Sequence, residues 1–153
     1  MLRRAVLLLP ILFSIPAANA LDANYENCLK KTSSRGDVDG FRDCVIAHVN
    51  KTRGSGNPKN GVVTMFGHNG GILEMDIKYL GMTYNESDPR AEENKMVFVN
   101  KTKANNINGY CVSLGETRKI FSNGAMIRYY DKNGHIFHSD YVAPEECDIQ
   151  YPR

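Results

Sequence analysis

The chain contains no G-x-S-x-G elbow and no H-E-x-x-H pair. It therefore lacks both the strained serine turn of an α/β-hydrolase and the helical histidine pair of a zinc protease. No C-x-x-C pair occurs either, which removes the spacing that lowers a thiol pKa for redox work and the close-set ligands of a structural zinc site. Beyond residue 20 no apolar run approaches the roughly 20 residues that cross a bilayer. There is no internal repeat and no low-complexity tail. Excess charge is also missing. Lys and Arg number 19 against 17 Asp and Glu, and two of those cations, Arg3 and Arg4, stand at the N-terminus. Without them the balance is neutral, whereas nucleic acid or an anionic membrane calls for clustered positive charge.

That N-terminus has the layout of an export signal. Leu2-Arg3-Arg4 is a short cationic start, Ala5 to Phe13 an apolar run, and Ala18-Asn19-Ala20 a small-x-small cleavage site. No serine or threonine precedes the arginine pair as in a twin-arginine signal, so the unfolded-export route is expected. No cysteine follows the cleavage site to carry a lipid anchor. Cleavage after residue 20 of 153 leaves 133 residues, the size of one compact domain or one with a small extension. The expected location is the periplasm or the cell exterior.

An oxidising compartment gives the four cysteines a role. Cys28, Cys44, Cys111 and Cys147 are an even set, read as two disulfides, and four cysteines allow three connectivities. Cys28–Cys44 with Cys111–Cys147 is the favoured pairing. On one continuous helix the first pair would sit about 24 Å apart, far beyond disulfide reach. Thr32 to Asp37 is turn chemistry, however, and a helical hairpin folded there brings the two together. Its second helix has Asp37 as N-cap and a stripe of Val38, Phe41, Val45 and Val49. The first, from about Asp22 to Lys31, is short and marginal alone.

Residues 54–61 are a linker without apolar side chains other than proline, and the pattern turns strand-like after them. Val62 to Phe66 and Ile72 to Ile77 flank the glycine-rich turn Gly67-His68-Asn69-Gly70-Gly71. Asn85 to Lys95 is a polar loop, Met96 to Val99 reads as a strand, Asn105 to Gly109 as a turn, and Tyr110 to Leu114 as a strand. Ala125 to Tyr130, Asp131 to Gly134 and His135 to Val142 form a last hairpin, with Ile127 and Tyr129 on one face and Arg128 and Tyr130 on the other. The expected organisation is α+β. A signal (1–20) precedes a stapled helical hairpin (21–53), the linker (54–61) and an antiparallel β-sandwich or barrel (62–153).

Met96 to Val142 resembles the bacterial extracytoplasmic FxLYD modules, which are immunoglobulin-like β-sandwiches. Val97-Phe98-Val99-Asn100-Lys101-Thr102 resembles their opening strand. Ile127-Arg128-Tyr129-Tyr130-Asp131 with Lys132 to Ile136 resembles the naming strand and turn, with isoleucine and tyrosine in place of the usual phenylalanine and leucine. The resemblance implies a binding or scaffold role and brings no catalytic residues.

Candidate chemistry is sparse. No catalytic residue, metal ligand or cofactor is assigned. His135 and His138 would share a ligand on a helix but point apart on a strand. His48 lies beside the helical stripe and reads as packed or capping. His68, Tyr130 and His135 are the candidate binding-loop residues, since loops on a rigid scaffold carry function. Arg35-Gly36-Asp37 spells an adhesive tripeptide but also serves as turn and cap. Asn50, Asn85 and Asn100 head glycosylation triplets if the host is eukaryotic. The leading expectation is a non-catalytic exported module that recognises another protein, such as an inhibitor or immunity protein, with no nucleic-acid partner and no membrane span. The alternatives are a secreted hydrolase using His68 and a loop carboxylate, and a eukaryotic adhesive glycoprotein.

Overall fold

A computed structural model of the chain describes residues 23–54 and 61–151. The expected export signal and most of the expected linker lie outside them. α1 (Ala23–Ser34) and α2 (Val38–Val49) are joined by a turn in which Gly36 takes a φ of 65°. Asp37 caps α2 as expected, its carboxylate accepting from the Gly40 N–H at 2.9 Å. α1 buries none of its residues fully. It is held by half-buried Tyr25 and Leu29 and by the Cys28–Cys44 disulfide, whose Cα atoms lie 5.9 Å apart. A short helix with so little burial needs such a bridge.

α2 continues into a π turn at Asn50–Gly54, and β1 (Val62–Asn69) and β2 (Ile72–Tyr79) follow as an antiparallel pair. α3 (Ala91–Asn108) then runs through a π turn (Gly109–Ser113) and a 3-10 helix (Gly115–Phe121) into β3 (Ala125–Tyr130). β4 (Ile136–Val142) and α4 (Pro144–Gln150) complete the order. The sheet order is β1-β2-β3-β4, with β2 and β3 parallel and the outer pairs antiparallel. Parallel neighbours require a crossover, and α3 with its extension supplies it.

The α+β character and both disulfides are present, the second joining Cys111 to Cys147 with Cα atoms 5.2 Å apart. Several expectations are corrected. A single open mixed sheet stands where an antiparallel sandwich or barrel was expected. Met96 to Val99 is the middle of α3, not a strand, and the helix begins inside the segment read as a polar loop. Val97 to Thr102, which resembles an FxLYD opening strand, is therefore helical here. Asn105 to Leu114, read as turn and strand, is the end of α3 and its π turn.

Strand alternation decides which side of the sheet is covered. Phe66, Leu73, Met75, Ile77, Ile127 and Tyr129 face the helices and join the core. Phe98 of α3 sits among the aromatic rings there, 4.9 Å from Tyr129 and 5.2 Å from Phe137, both edge to face. A bulge between Tyr129 and Tyr130 shifts the register and puts Phe137 and His138 both against Phe98. Val45 of α2 belongs to the same buried cluster as Ile127 and Val142, so the N-terminal helices and the sheet share one core. Edge strand β1 is blunted by Asn50, whose amide donates to the Phe66 carbonyl and accepts from the Phe66 N–H, each at 2.8 Å.

Candidate functional site

Every strand residue in the core comes from one face, and among the described residues none forms a layer over the other face of the sheet, which is bare in that sense. Across it lie Met65 from β1, Met126 and Tyr130 from β3, and Ile136 and Tyr141 from β4. Met65, Ile136 and Tyr141 are 52%, 53% and 44% exposed. Arg128 stands in the middle. Its Nε donates to the Asp76 carboxylate at 2.7 Å, and its Nη2 lies 3.3 Å from Glu74. The hydrogen bond that Arg128 donates to Asp76 pushes the guanidinium pKa further up, so the cation is fixed in charge and in place. Burial raises the Tyr130 pKa beside it. The face thus combines thioethers, phenol rings and one oriented guanidinium, the residue types enriched where proteins meet.

The three candidate binding-loop residues do not converge. Tyr130 lies on the bare face, paired with Ile136, and His135 sits in the adjoining turn with its side chain 76% exposed. His68 is on the opposite face at the far end of the strands, opposite Leu73. Its Nε2 lies 2.9 Å from the Asp43 carboxylate of α2. That is a histidine–carboxylate pair, although the carboxylate comes from a helix and not from a loop. Its Nδ1 is buried and has no hydrogen-bond partner among the described residues.

The chain matches no family model, no curated protein and no solved structure.

Asp131 organises the turn beside the bare face. It is fully buried, and it accepts from the Asn133 N–H at 2.8 Å, the His135 N–H at 3.0 Å and the Tyr84 N–H at 3.3 Å. Burial alone would raise its pKa, but these N–H groups and the His135 ring outweigh that, and the net shift is downward. The buried carboxylate ties the turn to the backbone on both of its sides.

Of the glycosylation triplets, Asn50 has its amide tied to Phe66, Asn85 accepts from the Ser87 N–H at 3.1 Å, and Asn100 is exposed on α3. The Asp37 carboxylate of the adhesive tripeptide is engaged as the α2 cap. His48 is packed, its ring stacked on Tyr25 at 4.1 Å. Among the described residues no three His, Cys, Asp or Glu side chains gather to hold a metal, and no helix is long and apolar enough to cross a membrane.

Sequence reasoning missed Met65, Met126, Ile136 and Tyr141 as a set. Alternation within each strand was visible, but only the register shows that these side chains share one surface. Asp43 was missed because its partner lies 25 positions away, across the helix–sheet junction.

His138 gives the core a pH dependence. It stacks on Tyr129 at 5.6 Å, and its Nε2 is buried without a hydrogen-bond partner among the described residues. Burial lowers its pKa below 6.5, with Asp140 pulling upward and Lys95 downward. The unfolded chain therefore takes up this proton first as pH falls. Stability is full above about 6.5 and drops as pH falls from there through the lowered native pKa. Urea midpoints should fall between pH 7.5 and 5.5, and His138→Phe should flatten that slope. An unchanged slope would show that another group is responsible.

Proposed function

We propose that the chain is an exported, non-catalytic binding protein that recognises another protein through the bare face of its sheet. The observation that carries this reading is the composition of that face, with Met65, Met126, Tyr130, Ile136 and Tyr141 surrounding an Arg128 clamped by Asp76 and Glu74. Methionine packs adaptably against a partner, tyrosine supplies rigid area with a polar tip, and a pre-held arginine loses little entropy on binding. The signal-like N-terminus and the two disulfides support a periplasmic or secreted location. An inhibitor or immunity protein is the concrete version, because such proteins work by covering a target.

The test compares capture by the tagged, oxidised protein with capture by Met65→Asp/Tyr141→Asp, whose new charges sit at exposed positions on the face. A partner from the exported fraction should be retained by the parent and lost by the double variant. It should also be kept by Lys30→Glu on α1. Equal capture by all three would contradict the assignment of the face.

A further inference from the structure

A second site lies on the opposite, helix-covered side of the sheet. We propose that the cavity enclosed by α2, the β1–β2 pair and the 109–121 segment binds a small, uncharged and largely apolar molecule. Its volume is about 360 Å3, within the roughly 300–1,000 Å3 range of sites that bury small ligands. The floor is true core, namely Val45, Leu73 and Phe121, which are 7%, 5% and 1% exposed. Half-buried Ile46, Val49, Phe66 and Leu114 form the walls.

The polar groups are few. They are the stacked rings of Tyr25 and His48, and the hydroxyls of Thr52, Ser113 and Thr117. The Thr52 hydroxyl already donates to the His48 carbonyl at 2.8 Å, which leaves its lone pairs to accept. Among the described residues no Asp, Glu, Lys or Arg lines the cavity. A charged molecule would lose its hydration there without gaining a counter-ion, so the lining selects for neutral ligands. A cavity of similar size beside α4 is lined by Arg118, Lys119, Glu145 and Asp148 and lacks this selectivity.

The walls are also held in place before any ligand arrives. Asn50 pins the Phe66 backbone from both sides, and the Cys28–Cys44 bridge fastens α1, with Tyr25, to α2. An apolar space kept open by such ties costs little to fill.

Two fluorescent probes that differ by one sulfonate read the site directly. The purified, oxidised protein should bind neutral N-phenyl-1-naphthylamine saturably and one to one. Anilinonaphthalene sulfonate should bind at least about tenfold more weakly, the cost of bringing its charge into the cavity. Thr117→Phe fills the space and should abolish naphthylamine binding. Should that variant fold poorly, Ser113→Asp, at an exposed lining position, should weaken binding of the neutral probe instead. Absence of saturable binding, equal affinity for both probes, or binding unchanged in both variants would overturn the proposal. Met65→Asp/Tyr141→Asp should leave probe binding intact, which separates this site from the sheet's bare face.

Discussion

Replacing Cys111 and Cys147 with serine should cost about 4 kcal/mol of stability, from the loop entropy that a 36-residue separation restores to the unfolded chain. The matching loss for Cys28 and Cys44, separated by 16, should be about 3 kcal/mol. The second bridge also carries more of the native structure. α4 has only seven residues, and buried Cys147 is its anchor to the π turn that follows α3. A helix that short does not persist unaided. A serine hydroxyl at a position only 3% exposed adds a desolvation cost. Against a typical total of about 5–15 kcal/mol, losing this bridge leaves a marginal protein. Equilibrium urea unfolding of the two double variants checks the ranking. A larger loss for the Cys28/Cys44 pair would show that the helical pair, and not the C-terminal clamp, limits stability.

Phe98→Ala should cost about 3 kcal/mol, the usual range for emptying an aromatic site in a core. Phe98 meets Tyr79, Tyr129, Phe137 and His138, whereas its helical neighbours Met96 and Val97 are 64% and 49% exposed. α3 thus docks its N-terminal half on the sheet largely through one ring, with Ile107 and Asn106 holding the other end. Amide hydrogen exchange should show faster exchange across residues 91–100 in the variant, with the β3–β4 pair changed less. A loss below about 1 kcal/mol, ordinary for a surface change, would mean that the helix is held elsewhere.

Met96 to Val99 also shows where the sequence misleads. Four consecutive apolar residues fit a buried strand as well as a helix, and periodicity does not separate the two over so short a run. Two of the four turn out to face solvent, so the helix has almost no amphipathic stripe to read. Its crossover role depends on the parallel pairing of β2 with β3, a long-range choice without a local signature. By contrast, Asp37 as a cap and the alternation of Ile127, Arg128, Tyr129 and Tyr130 are local, and both were legible. The favoured disulfide pairing was legible because the turn chemistry at 32–37 permits a folded-back geometry that brings Cys28 to Cys44. The candidate site was visible only in part, as His135 and as Tyr130 sharing a face with Arg128. Met65, Ile136 and Tyr141 come from other strands, and register brings them together.

The bare sheet face is tested most directly by timed methionine oxidation of the folded protein with peroxide, read residue by residue by mass spectrometry. Met96 on α3 and Met65 on the uncovered face should oxidise fastest, and Met75, packed toward the helices, more slowly. Slow oxidation of Met65, matching Met75, would mean that a second layer covers the face, and neither the open sheet nor its recognition role would survive that result.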